Sequence, residues 1–337
     1  MGMEFGIFDS FDLGRTEPGD VLASRLRFAQ TADELGVDHY HVTEHHGTPL
    51  SVCPSPNIFL SALSQRTTRM RFGALVNVLP EHHPFRLAEE ISVLDQLSGG
   101  RVDVGVGSGV SPYELAVFGV AAADAKAVYR ERLVELTTAL RTGRLAEHHL
   151  SVLPVQRPYP PLWYASSNTA SAQWAGANAV NFVGRWNGGA ITDAVRAYRD
   201  AWADHRDDPD RLNPHVTEPR VGIAAGLVIA GSDEQARDVY GRANDLFCER
   251  LTHLWHQHDD HRVDRAFATE TTLANGAAWV GTADTVRDVV VHQVGTSGVN
   301  YVELSVFFGD LTPDQAGHSL RAFVDRVAPA ARQACTW

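Results

Sequence analysis

Two hydrophobic periods alternate along this chain. Short runs rich in β-branched and aromatic residues read as strands over Glu4–Phe8, His39–Thr43, Arg71–Val78, Val102–Val106, Leu162–Ala165, Val180–Val183, Val221–Ile229 and Tyr301–Phe307. The stretches between them carry apolar residues at helical spacing. The clearest runs through Leu87, Ile91, Leu94 and Leu97, with Pro84 suited to a first helical turn and Gly99-Gly100 supplying the stop. Another begins at Pro56 and continues through Ile58, Leu60 and Leu63 to Arg66. Eight strands separated by helices predict a parallel sheet, and eight is the number that closes a (β/α)8 TIM barrel. A length of 337 residues suits a single barrel domain, 1–337, with insertions.

Three stretches exceed simple barrel connections. Leu145–Pro161, with four prolines, predicts an inserted hairpin or loop, and Asp204–Pro219 a polar surface loop. Asn244–Gly276 starts helical and turns charged from His256 to Arg265, which suits a lid over the barrel.

Composition narrows the partners. A formal net charge of −12 argues against nucleic acid or an anionic membrane as the main partner, since both need a basic face. Cys53, Cys248 and Cys335 form no CxxC pair and suggest neither a disulfide framework nor a zinc site, which fits a cytoplasmic setting. The chain opens without a basic-then-apolar leader, and no apolar run reaches the roughly 18 residues a membrane span needs.

Barrel enzymes carry their active sites at the C-terminal ends of the strands. Here that rim collects Glu44-His45-His46, then Asn77, His82 and His83, then Gly105-Val106-Gly107-Ser108-Gly109. It continues with Ser166-Ser167-Asn168, Arg185-Trp186-Asn187 and Phe307-Phe308. Each cluster also has a plainer reading: a hydrogen-bonded rim, a tight turn, a helix cap. A metal at Glu44-His45-His46 is disfavoured, because successive strand residues point to opposite faces and one histidine at most faces the mouth. The hydroxyl and amide side chains of Ser166–Ser171 open a helix whose free N–H groups make an anion site. That site follows the fifth strand, whereas barrel phosphate sites usually follow the seventh and eighth.

The ordered segments Glu44-His45-His46, Val78 to Pro84, Leu87-Ala88-Glu89-Glu90 and Leu94 to Arg101 closely resemble bacterial luciferase-like flavin monooxygenases. Val117-Phe118-Gly119 and the strand-helix Val302 to Pro329 extend the resemblance over nearly the whole chain. It implies an enzyme that uses reduced FMN, supplied by a separate flavin reductase, and O2 to oxygenate a small-molecule substrate through a C4a-(hydro)peroxyflavin. His45 matches the catalytic histidine, with Glu44 or a backbone group expected to fix its tautomer. Leu75-Val76 falls where the family bulges behind the flavin ring, sometimes through a non-proline cis peptide. Trp186 matches a tryptophan beside the ring, and Ser167, Asn168 and Ser171 match the phosphate-binding turn. Ser108 stands where luciferase has a phosphate-binding arginine and Gly107 where it has a reactive cysteine, so Arg185 is the expected replacement cation. Phe307, Phe308 and the lid are expected as apolar walls. The resemblance also implies a homodimer through Asn57–Arg66 and Pro84–Leu97. Two other functions stay open on the same barrel: an F420-dependent hydride-transfer oxidoreductase and a non-catalytic flavin-binding subunit.

Overall fold

Eight strands pair in parallel around a closed barrel. The computed structural model describes residues 2–337. The barrel strands are β1 (Glu4–Asp9), β2 (His39–Val42), β3 (Arg71–Val78) and β4 (Val102–Gly107), then β7 (Leu162–Ala165), β8 (Asn181–Arg185), β9 (Val221–Ile229) and β11 (Tyr301–Ser305). They pair in that order, and β11 returns to β1. A short antiparallel hairpin, β5 (Arg144–Leu145) with β6 (His148–His149), occupies the expected insertion. One strand escaped the sequence pattern: β10 (Ala278–Gly281) pairs with the C-terminal half of β9, beyond the β8 pairing.

The helices follow from their end signals. α2 (Pro56–Ser64) and α3 (Pro84–Ser98) both begin on a proline, and Gly99 ends α3 with a left-handed φ of 67°. Leu87, Ile91 and Leu94 of α3 are buried against the sheet. Among the described residues, no helix is long and apolar enough to cross a membrane.

Strand alternation fills the barrel in layers. Phe8, Leu75 and Val183 form its upper apolar layer, next to Trp163 and Tyr301. Glycine makes room for such bulk: a Cβ on Gly6 would overlap the Tyr301 hydroxyl. Below lie His39, His41, Asp103 and Glu303, all buried. The upper layer is therefore the floor of whatever sits at the mouth.

Candidate active site at the barrel mouth

A cavity of about 400 Å³ opens over the C-terminal strand ends and adjoins a smaller one of about 160 Å³. Phe8, Thr43, His45, Leu75, Val110 and Ala165 line both. The larger falls within the size range of cofactor and small-ligand sites. Its roof comes from α8 (Asp233–Gln257), which presents Tyr240, Asn244, Phe247 and Leu251 at helical spacing. Phe267 and Ala277 complete that side. The turn after α8 is tied down by Tyr113, whose hydroxyl donates to Asp260 (2.9 Å) and whose ring stacks on His258.

His45 faces the cavity and His46 does not. The His45 Nδ1 lies 3.3 Å from each oxygen of Glu114, and the Glu114 carboxylate also accepts from the His46 N–H (2.8 Å). Glu114 is held in turn by α4 (Pro112–Val117), capped by Ser111. The expected partner, Glu44, is committed elsewhere. Its buried carboxylate accepts from the Val78 N–H (2.6 Å) and from His82 Nε2 (2.8 Å), with His46 Nε2 at 3.5 Å. Burial alone would push the Glu44 carboxyl up, but the hydrogen bonds from His46, His82 and Val78 outweigh it and hold the carboxyl at about 2. Glu44 braces the rim, and Glu114 is the carboxylate that can fix the His45 tautomer. Glu81, 3.4 Å from His46, has the opposite balance: burial, then repulsion from Glu44, raises its carboxyl to about 7.

Opposite His45, β3 bulges. The peptide Leu75–Val76 is cis, and the β3–β4 register shifts between Ala74 and Asn77. Gly107 lies against this bulge so closely that a Cβ would overlap Val76. Leu75, Val76, Gly107 and Ser108 all line the smaller cavity. The Thr43 hydroxyl oxygen, at the junction of the two, is buried without a hydrogen-bond partner.

The far end of the larger cavity is polar. Ser166, Ser167 and Arg185 line it. The Ser167 hydroxyl accepts from the Arg185 N–H (3.0 Å), which joins the ends of β7 and β8. Asn168 caps α6 (Thr169–Ala177) by accepting from the Ser171 N–H (3.1 Å), so these two residues satisfy each other and neither lines the cavity. The Arg185 guanidinium donates to the Ala266 carbonyl and lies over the Phe267 ring. Among the described residues it has no ion pair with any carboxylate, so it presents an uncompensated positive charge to the cavity.

Two aromatic residues expected at the cavity do not line it. Trp186, the residue after β8, donates its indole N–H to the Asn275 carbonyl. Phe308 lines the cavity, but Phe307 packs outward against α1 (Pro18–Glu34), under the Arg25 guanidinium and against Phe28.

The match to known proteins is extensive. The family model for luciferase-like monooxygenases matches residues 3–326. The chain belongs to this family. Its members are oxidoreductases. A relative from Sinorhizobium fredii, the uncharacterized protein y4wF, is 34% identical over 327 residues, 93% of this chain and 92% of its own. Among solved structures, the monooxygenase RslO1 from Streptomyces bottropensis superposes with a TM-score of 0.83 at 26% identity, over 97% of this chain and 99% of that one. The oxygenating constituent of 3,6-diketocamphane monooxygenase from Pseudomonas putida, a type II Baeyer-Villiger enzyme in complex with FMN, shares the fold (TM-score 0.76, 20% identity, 98% of both chains).

Proposed function

We propose that this luciferase-like chain is the oxygenase component of a two-component flavin monooxygenase that takes reduced FMN from a separate reductase. The observation that carries the reading is His45: a carboxylate-held imidazole at the junction of the two cavities, facing the β3 bulge. Three features fit FMN. The Gly107–Val76 contact leaves a close-set floor for a flat ring, Thr43 offers an unpaired hydroxyl, and Arg185 offers an unpaired cation to a phosphate. Leu75, Val76 and Gly107 would hold the ring end, and Arg185, Ser166 and Ser167 the phosphate end. Reduced FMN, when bound, supplies the electrons that activate O2.

The chain's own residues do the rest. Glu114 accepts from His45 Nδ1–H, which leaves Nε2 to take or give a proton at the cavity. Phe8, Leu75, Phe247 and Phe308 exclude water and favour an apolar substrate. The segment 244–276 acts as the lid. Anaerobic titration with reduced FMN and, separately, reduced F420 tests the cofactor. Reduced FMN is expected to bind and F420 not to; the reverse preference would sink the reading.

Arg185 carries a sharper expectation. Arg185→Ala should weaken FMN binding by about 10- to 150-fold, the equivalent of roughly 1.5–3 kcal/mol for a hydrogen bond to a charged group. Ser108→Arg in that background should restore part of the loss. An unchanged affinity in Arg185→Ala would remove it from the phosphate site.

The second expectation concerns assembly. Ile58 on α2 is 75% exposed, and Val93 and Leu97 on α3 are 46% and 49% exposed, an apolar face suited to a second copy of this chain. Analytical ultracentrifugation should show a dimer that Ile58→Asp with Leu97→Asp converts to monomer. A wild-type monomer would contradict the proposal.

A further inference from the structure

At the end of the barrel away from the mouth lies a group of ionisable side chains that the proposed reaction does not use. β2 reads His39-Tyr40-His41, and strand alternation turns both imidazoles inward and Tyr40 outward. Asp103 on β4 faces them. His39 Nδ1 lies 2.7 Å from Asp103 Oδ2, and His41 Nε2 lies 3.5 Å from the same oxygen. All three residues are buried, and the three donor atoms lie within 4.8 Å of one another. The outer nitrogens are held by carboxylates: His39 Nε2 is 3.0 Å from Glu4, and His41 Nδ1 is 2.9 Å from Glu303. A carboxylate accepting at the outer N–H is the way metal-ligating histidines are oriented, and the inner nitrogen becomes a ligand once the proton it shares with Asp103 is lost.

One atom decides between a settled core cluster and a ligand site. His41 is fully buried, yet its Nε2 has only the long 3.5 Å approach to Asp103 and no well-formed hydrogen bond. A buried polar atom left unpaired at such a junction is costly unless something binds there. We propose that His39, His41 and Asp103 bind one divalent first-row transition ion of the Zn²⁺ type, oriented by Glu4 and Glu303.

Charge and access agree with this. Glu4, Asp103 and Glu303 touch the imidazoles, while two guanidiniums, Arg71 on Asp103 and Arg220 on Glu4, offset them. With both imidazoles neutral the cluster keeps an excess of negative charge. A cavity of about 270 Å³ reaches His39 and Asp103 from the exposed residues Thr217 and Glu218, which gives an ion a way in. Trp163 and Tyr301 pack edge-on against the imidazoles and shield the site from the mouth. Metal bonds of about 2.0–2.1 Å imply ligand separations of about 3.3 Å, so His39 and Asp103 must part by roughly half an ångström and release their shared proton. Two imidazoles and one carboxylate leave a fourth tetrahedral position for water.

The trio His256, His261 and Asp264 near the surface is a rival ligand set, so the test uses the full chain carrying His256→Ala and His261→Ala. This protein, expressed with added Zn²⁺ and passed through a weak chelator, is expected to retain about one zinc per chain, since buried sites exchange slowly. Its zinc-edge X-ray absorption should show two imidazoles, and Co²⁺ in place of Zn²⁺ should give visible d–d bands. Asp103→Asn keeps the shape and should lower zinc retention at least tenfold. If that variant does not fold, the X-ray spectrum of the parent decides alone. Protein that stays metal-free after Zn²⁺ and Co²⁺ exposure would overturn the proposal, and the cluster would then hold a proton instead. Zinc retained equally in Asp103→Asn, or a spectrum without two imidazoles, would overturn it as well.

Discussion

Replacing His45 with alanine is expected to lower oxygenation of an apolar substrate by about 10²- to 10⁴-fold, the range a positioned acid–base group contributes. His45 is the imidazole that reaches the cavity, and Glu114 orients it at 3.3 Å. Reduced-FMN affinity should be largely kept, because the proposed phosphate contact is Arg185 rather than His45. The measurement is product formation against FMN binding for the same preparation. Unchanged turnover in His45→Ala would remove this residue from the mechanism. Glu114→Gln provides a second readout. It leaves the imidazole in place but weakens its orientation, so turnover should fall and its pH profile should shift.

The second large effect is on stability and falls on Glu44. Its buried carboxylate receives His82, His46 and the Val78 N–H. Glu44→Ala leaves these donors without their acceptor and should destabilise the fold by about 3–5 kcal/mol, the cost of breaking a buried pair from one side. Urea unfolding at neutral pH measures it. The sign of the pH dependence follows from the depressed carboxyl. The Glu44 contribution is fully present above the ordinary value of 4.5 and is lost as pH falls towards about 2. The gap between wild type and variant should therefore narrow on acidification below about 4.5. A gap that is small at neutral pH, or constant into acid, would mean that Glu44 does not brace the rim.

Much of this arrangement is legible in the residue order, and the exceptions have physical reasons. Short runs rich in β-branched and aromatic residues give the barrel strands to within about two residues, and the barrel rule then places His45, Gly107, Ser108 and Arg185 at one mouth. Glu114 is invisible to that reasoning. It sits on a short helix 69 positions from His45, and only the closed barrel brings the two together. Phe307 was expected at the cavity, but β11 ends at Ser305, so alternation no longer governs the residues after it. Trp186 likewise lies beyond the end of its strand, since β8 ends at Arg185, and its side chain is set by the hydrogen bond to Asn275 rather than by alternation. The His39-x-His41 spacing was readable as two imidazoles on one face, yet its partners Asp103 and Glu303 come from other strands.

The central claim, that this mouth holds reduced flavin and governs its reaction with oxygen, is tested most directly by stopped flow. Reduced FMN is bound anaerobically to excess protein and mixed with oxygenated buffer, and the appearance of oxidised-flavin absorbance is followed beside a protein-free control. The account predicts that oxidised flavin appears clearly later with protein than without it. Oxidation at the same rate as the control, with the protein folded and in excess, would contradict it.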